Sequence, residues 1–163
     1  MDDAALGLDD VALGLDMEGH PLFSGEYEHT LDEKGRLIIP ARFRADLAEG
    51  SFITRGMDGC LFVFPPHAWE VLSEKVAKLP LSDASARLFS RMIFSGIECK
   101  LDKQGRVLLP PSLREHANIE SEIVVIGVNS RLEIWSKKRW QVQTTQMEEQ
   151  SSSIGERLTN FGI

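Results

Sequence analysis

Short runs of alternating apolar and polar residues, separated by glycine-containing turns, make up the first half of the chain. The runs typical of strands are 26–31, 36–39, 52–55 and 60–64. Pro40 favours the start of a short helix at 41–48, because proline is tolerated at the first helical position. Apolar residues three or four positions apart at 66–79 predict a longer amphipathic helix. The first half therefore predicts two hairpins and two helices.

The second half repeats this order of elements. Its strand-like runs are 97–101, 106–109, 123–128 and 132–135. Pro110 opens a short helix, and Ser136 is placed to cap a helix that runs to about Glu149. Between the halves, Asp83 can cap a linking helix at 84–93.

The repetition extends to the residues themselves. LDEKGRLIIPARFR at 31–44 and LDKQGRVLLPPSLR at 101–114 share six of fourteen positions at a constant offset of 70. With a slip of one residue, further apolar positions also correspond: Leu61, Val63, Phe64 and Trp69 match Leu132, Ile134, Trp135 and Trp140. Short hairpins with one apolar face need a partner to bury it. We therefore expect one α+β, β-rich domain of two interleaved repeats, with short helices packed outside.

These patterns divide the chain into five segments. We expect an acidic disordered extension at 1–21, a first repeat at 22–82, a linking helix at 83–96, a second repeat at 97–149 and a polar C-terminal tail at 150–163. The two tryptophans that open the amphipathic helices, Trp69 and Trp140, favour packing over base stacking.

Composition favours a globular cytoplasmic protein. Hydrophobic residues make up 42% of the chain, and no apolar run approaches the roughly 18 residues of a membrane helix. We expect no membrane association and no secretory signal. Cys60 and Cys99 are unmatched between the halves, so reduced, partly buried thiols are expected rather than a disulfide.

The net charge of −7 is unevenly distributed. Six acidic residues and no basic residue lie within 1–22, so the rest of the chain is nearly neutral. The stretches 34–44 and 103–114 contain no acidic residue and carry seven basic ones. Because local patches set the field that a ligand feels at close range, both stretches are candidates for binding phosphate.

Both basic stretches follow the same turn motif, Asp-x-x-Gly-Arg. We predict that Asp32, Gly35, Asp102 and Gly105 structure the turns. The candidate DNA-binding residues are Lys34, Arg36, Arg42, Arg44, Lys103, Arg106 and Arg114. An alternative is that Asp32 pairs with Arg36, and Asp102 with Arg106, only to lock each turn. The duplication favours phosphate binding.

An enzyme is the main rival class, and the sequence offers little for it. Asp32 and Asp102 could form a carboxylate pair with His29 or His116 as a base, but each aspartate lies in a turn that favours aspartate. The histidines and cysteines show no metal-ligand spacing. We predict no catalytic site, no metal, no cofactor and no small-molecule substrate.

The two motifs, together with FSGEY at 23–27 and IG…LEIW at 126–135, resemble the bacterial MraZ family over residues 22–145. The Asp-x-x-Gly-Arg-x-x-x-Pro core is also similar to AbrB-type swapped-hairpin DNA-binding modules. The resemblance implies a swapped-hairpin β-barrel and a DNA-facing surface formed by Asp32, Arg36, Asp102 and Arg106. Lys34, Arg42, Arg44, Lys103 and Arg114 are added from charge and position, although Ser112 stands where Arg42 would have its counterpart.

The resemblance further implies a cytoplasmic, nucleoid-associated transcriptional regulator. Members of the family bind short direct repeats in double-stranded DNA, in the promoter of the division and cell-wall gene cluster that includes their own gene. They assemble into homo-oligomeric rings. The alternative is a protein-binding module on the same fold, such as an antitoxin or a scaffold.

Overall fold

The computed structural model describes residues 15–163, and within them the chain forms eight strands and six α-helices. The strands are β1 Glu26–Thr30, β2 Arg36–Ile38, β3 Ser51–Arg55, β4 Leu61–Phe64, β5 Ile97–Cys99, β6 Arg106–Leu108, β7 Glu122–Val128 and β8 Arg131–Ser136. The helices are α1 Ala41–Arg44, α2 Pro66–Ala77, α3 Ala84–Ile93, α4 Pro111–His116, α5 Lys137–Glu149 and α6 Ser151–Arg157. Short 3₁₀ turns lie at Ala45–Leu47, Met57–Gly59 and Thr159–Phe161.

Strand pairing interleaves the two repeats. Six strands form one sheet in the order β1-β7-β8-β4-β3-β5, and β2 pairs with β6 in a separate two-stranded ribbon. The first strand of each repeat pairs antiparallel with the second hairpin of the other: β1 lies against β7, and β5 against β3. The α+β, β-rich character expected from the sequence is confirmed.

The closed barrel expected from the sequence is not formed by the described residues. The six-stranded sheet is open, with β1 and β5 at its two edges. Closure would require a ladder between β1 and β5, and the described residues form none; after each of these strands the chain passes to β2 or β6 of the ribbon. Beyond the single bridge between Leu31 and Leu37, β2 takes its ladder partner from β6 instead. The swapped-hairpin designation itself stays a prediction.

The ribbon of β2 and β6 has a buried face and an outer face. Leu37 pairs with Val107 at its centre, and both side chains are buried. The neighbouring pairs are Arg36 with Leu108 and Ile38 with Arg106. Backbone hydrogen bonds from Leu109 N to Gly35 O and from Ile39 N to Gly105 O extend the ladder at both ends. Because side chains alternate along a strand, the pairs beside the centre share the outer face.

Two apolar clusters hold the elements together. The larger cluster lies between one face of the six-stranded sheet and the ribbon. It includes Leu37, Val107 and buried residues of α1 and α4. The smaller covers the outer side of the sheet beneath α2, α3 and α5. There Trp69 stacks on Phe52 with ring centroids 3.7 Å apart, which agrees with the packing expected of this tryptophan. Cys60 and Cys99 are free thiols, as predicted.

Helix starts lie where the capping residues place them. The Asp83 carboxylate accepts a hydrogen bond from Ala86 N at 3.2 Å, and the Ser136 hydroxyl accepts one from Arg139 N at 3.2 Å. Each side chain thereby satisfies one of the amide groups that a helix N-terminus leaves unpaired. The predicted helix at 41–48 is instead split into α1 and a 3₁₀ turn.

Local structure is present near both ends of the described residues. Of the predicted disordered extension, residues 1–14 lie outside the described residues. Residues 15–21 form a turn closed by a bridge between Leu15 and Pro21, and His20 stacks on His67 at 3.7 Å. The predicted polar tail at 150–163 contains α6, and Phe161 in it is 76% exposed. No helix among the described residues is long and apolar enough to cross a membrane.

Replacing Leu37 with alanine tests the ribbon as a structural element. The side chain is fully buried between the repeats. L37A should therefore lower the free energy of unfolding by about 2–5 kcal/mol, through lost transfer energy and the cavity that remains. L88A is the control, because Leu88 is 66% exposed and its truncation should change stability by less than about 0.5 kcal/mol. Urea unfolding of both variants makes the measurement, and equal stability would contradict the packing described.

Candidate nucleic-acid interface

The first repeated turn is closed by its aspartate. Asp32 Oδ1 accepts hydrogen bonds from the backbone N–H groups of Lys34 and Arg36, both at 2.9 Å. Asp32 Oδ2 accepts a hydrogen bond from Arg36 Nε at 2.6 Å. Aspartate folds this turn because its short side chain reaches the backbone two residues ahead. One carboxylate thus holds both the turn and the guanidinium group that follows it.

The second turn has the same geometry. Asp102 Oδ1 accepts from the backbone N–H groups of Gln104 and Arg106 at 2.9 Å, and Oδ2 accepts from Arg106 Nε at 2.8 Å. In both turns the aspartate binds its arginine through Nε. Within the described residues, no hydrogen bond occupies the terminal Nη atoms of Arg36 or Arg106. The terminal nitrogens therefore retain donors for an external acceptor.

The hydrogen bonds to these carboxylates lower the pKa of Asp32 and of Asp102. In each case the backbone N–H of the following arginine is the largest cause, burial opposes it, and the guanidinium adds to the lowering. Because the folded-state pKa lies below the unfolded one, the carboxylates stabilise the turns at neutral pH. That contribution is lost only as the pH falls through the lowered pKa.

An arginine from each repeat lies across the turn of the other. Arg44 Nε donates a hydrogen bond to Ile39 O of the same repeat at 2.8 Å, and the Arg44 side chain passes over Gly105 of the other repeat. Arg114 Nε donates a hydrogen bond to Leu109 O of the same repeat at 3.0 Å, and the Arg114 side chain passes over Gly35 of the first repeat. Both glycines have positive φ, near 80°, and a Cβ there would lie within 3.1 Å of the crossing arginine. The positive φ favours glycine at both positions, and at Gly105 a Cβ would in addition displace Arg44.

These contacts assemble one surface from both repeats, which we call the paired-turn surface. It comprises Lys34, Arg36, Arg44, Lys103, Arg106 and Arg114. Arg106 Nη1 lies 3.8 Å from Asp32 Oδ2, so the second turn's arginine also reaches the first turn. Lys34 and Lys103 are exposed at the turn tips. The two turns themselves hold four cations against three carboxylates, which are Asp32, Glu33 and Asp102, and Arg44 and Arg114 each add a cation from the opposite repeat.

Arg42 contacts a different part of the molecule. Its Nη1 donates to the Tyr27 hydroxyl at 3.2 Å, and its Nη2 donates to the Ser24 hydroxyl at 3.3 Å. The structure therefore places six of the seven candidate cations at the ribbon and its turns, and holds the seventh beside β1. This difference between the repeats agrees with the lack of a basic residue at Ser112.

Sequence reasoning missed two side chains that share the ribbon's outer face with the arginines. Ile38 is partly buried, and Leu108 is 54% exposed although it is a large apolar residue. Each stands two positions after the motif arginine of its repeat. The period-two alternation of a strand would have found both, once the strands were placed with one face buried.

Three of the four groups considered for catalysis, Asp32, Asp102 and His116, are engaged in structural contacts. Both motif aspartates accept three hydrogen bonds and have lowered pKa values, so neither holds a proton to donate at neutral pH. His116 Nε2 lies 3.1 Å from Gly56 O, in a contact that joins α4 to the β3–β4 turn. Among residues 15–163, no group of three or more His, Cys, Asp or Glu could hold a metal ion.

The paired-turn surface suits the major groove of DNA. That groove is about 12 Å wide and admits a two-stranded ribbon, whose strands are about 5 Å apart. Guanidinium groups can donate two parallel hydrogen bonds to guanine O6 and N7 or to a phosphate. Because Asp32 and Asp102 already order the Arg36 and Arg106 side chains, less rotamer entropy remains to be lost on binding.

Comparisons with known proteins agree on one family. The sequence model of the family described as "MraZ protein, putative antitoxin-like" matches twice, at residues 22–92 and 92–162. The Transcriptional regulator MraZ of Moorella thermoacetica is 49% identical over 143 residues, which cover 87% of this chain and all of the relative. Proteins of the same name from Desulfitobacterium hafniense and Natranaerobius thermophilus are 52% and 47% identical over the same coverage.

A pH titration tests the role of the two carboxylates. Carbon-13 NMR of the aspartate side chains should give Asp32 and Asp102 pKa values below the ordinary 3.8. R106A should move the pKa of Asp102 upward, because a guanidinium hydrogen bond is removed, and should move that of Asp32 much less. Ordinary pKa values for both carboxyls in the unmodified protein would contradict the geometry described.

A glycine substitution tests the crossing of the repeats. G105A should lower the free energy of unfolding by more than about 1 kcal/mol, because alanine disfavours positive φ and its Cβ displaces Arg44. G155A is the matched control: a Cβ there meets nothing within 4 Å, and Gly155 lies in α6. It should leave that energy unchanged or raise it by up to about 1 kcal/mol. Thermal or urea unfolding distinguishes the two, and equal effects would exclude a specific role for Gly105.

Proposed function

The chain belongs to the MraZ family, and on that premise we propose that it is a transcriptional regulator that binds double-stranded DNA through the paired-turn surface. The observation that carries the proposal is the joining of two arginine-bearing turns, one from each repeat, on the outer face of one ribbon. The relatives named Transcriptional regulator MraZ support it independently.

Within this proposal the residues have distinct parts. Arg36 and Arg106 flank the central pair on the outer face of the ribbon and have terminal nitrogens available, so they are assigned to base edges or nearby phosphates. Lys34 and Lys103 are exposed at the turn tips and suit phosphate contacts. Arg44 and Arg114 support the turns from the opposite repeat. Burial lowers the pKa of His29, and the positive charge of Arg44 adds to this lowering. Arg42 would add a phosphate contact beside β1.

The proposal extends to sequence-specific binding of short direct repeats in the promoter of a division and cell-wall gene cluster, including the chain's own gene. One subunit offers few cations, so its affinity should be modest and sensitive to salt. A ring of subunits would present the same surface repeatedly and engage several repeats together. Such avidity raises affinity by about 10²- to 10⁴-fold without new contacts. The protein would then act in the cytoplasm, associated with the nucleoid, as a non-enzymatic regulator.

A protein-binding role is the second candidate function. The family description contains the words antitoxin-like, and antitoxins act by binding a protein partner. On this alternative the paired-turn surface would contact acidic side chains rather than phosphates, and no preference for promoter DNA would be observed.

DNA binding by arginine variants tests the proposal. Fluorescence anisotropy with the DNA upstream of the chain's own gene should show tighter binding than to scrambled DNA of equal length. The log–log salt slope should be about −0.9 for each phosphate contacted. R36A and R106A should each weaken binding by about 5- to 150-fold, the range expected when an arginine no longer reaches its base.

Matched controls separate the proposal from its alternatives. R91A removes an exposed arginine of α3, outside the paired-turn surface, and should bind DNA like the unmodified chain. Sedimentation and circular dichroism should show that R36A and R106A keep their assembly and fold. Equal binding to both DNA sequences would reduce the surface to a generic cation patch. Absence of binding at low salt would favour the protein-partner function.

A further inference from the structure

The outer face of the ribbon combines two arginines with two aliphatic side chains. Arg36 pairs across the strands with Leu108, and Ile38 pairs with Arg106, so the arginines occupy one diagonal of a four-residue patch. The aliphatic residues occupy the other. The intervening residues Leu37 and Val107 point into the core, which fixes all four side chains on the outside.

Neither aliphatic side chain forms part of the apolar core, although Ile38 is partly buried. The core-facing positions of the ribbon are already filled by the central Leu37–Val107 pair. Leu108 is 54% exposed and belongs to neither apolar cluster, and Ile38 also lies outside both. A single exposed leucine needs no explanation. Here, however, an aliphatic residue recurs at the same place in both repeats, two positions after the motif arginine.

The position matters because of what a ribbon meets in the major groove. Base edges there offer hydrogen-bond donors and acceptors and one apolar group, the C5-methyl of thymine. The arginines on one diagonal would approach guanine or phosphate. The aliphatic residues on the other diagonal, Ile38 and Leu108, would then face the neighbouring bases. We propose that Ile38 and Leu108 contact thymine methyl groups and select thymine beside the arginine-contacted bases. This inference rests on the proposed function.

The simpler account is that each aliphatic side chain only packs on the alkyl part of the arginine across the ribbon. Both accounts predict weaker DNA binding when the side chain is truncated. They differ in whether the weakening depends on the thymine methyl. Replacing thymine by uracil removes that methyl and leaves every hydrogen-bonding group in place, so it isolates the interaction of interest.

The experiment is a double-substitution cycle between protein and DNA. The probe is the DNA upstream of the chain's own gene, prepared with thymine and with uracil throughout the bound region. The unmodified chain should bind the uracil DNA on the order of four-fold more weakly for each thymine methyl that the side chains would otherwise bury. The double variant I38A/L108A should bind thymine DNA more weakly and bind both DNAs equally, because the contacting atoms are absent.

Control variants and the remaining outcomes make the result decisive. L88A removes a similarly exposed leucine of α3 and should keep the full preference for thymine DNA. Equal binding of both DNAs by the unmodified chain would overturn the inference while leaving the proposed function intact. An undiminished thymine preference in I38A/L108A would also overturn it, since DNA shape would then be responsible. Failure to bind either DNA at low salt would instead overturn the proposed function, and the inference with it.

Discussion

The antiparallel pairing of β2 with β6 is the contact on which both the fold and the candidate site depend. Each strand has three residues, too few to persist alone, and apart from the bridge between Leu31 and Leu37 neither strand has a ladder partner in its own repeat among the described residues. The pairing buries Leu37 against Val107 and, because side chains alternate, turns Arg36 and Arg106 outward together. A register slip of one residue would bury the arginines and expose the core. The energy of burial therefore enforces the cationic face.

Locking the turn and contacting DNA are compatible roles for the same motif. The carboxylate binds the backbone and Nε, which orders the arginine, and leaves the terminal nitrogens available. An unrestrained arginine would lose about 2 kcal/mol of rotamer freedom on binding, so prior ordering favours complex formation. The same carboxylate also weakens the attraction of DNA for the arginine, because its negative charge partly neutralises the guanidinium group beside it. The additional cations at the turn tips and on α1 and α4 keep the surface positive.

The local charge of this surface would allow a chain with a net charge of −7 to bind a polyanion. At physiological salt, charges more than about 8 Å apart are largely screened. The field at the ribbon is therefore set mainly by the charges of the turns and of α1 and α4, not by the net charge of the chain. The repeats also differ at the margin of the surface, where Arg42 is held by Ser24 and Tyr27 and the second repeat has Ser112 instead. The two repeats therefore contribute equivalent residues at the centre of the surface and different residues at its edge.

The elements and the local chemistry could be predicted from the amino-acid order, because both depend on neighbours along the chain. The alternation of apolar and polar residues, together with glycine and proline, predicted the strands and turns. Asp83 and Ser136 predicted the starts of two helices. The duplicated motif identified Asp32, Asp102 and the arginines that follow them. The pairing of those elements came from the three-dimensional fold. In that fold the six-stranded sheet is open, although a barrel was expected. Arg44 and Arg114 lie across the opposite turns, and Ile38 and Leu108 lie beside the arginines. Those outcomes depend on contacts between residues some 70 positions apart, which no local pattern contains.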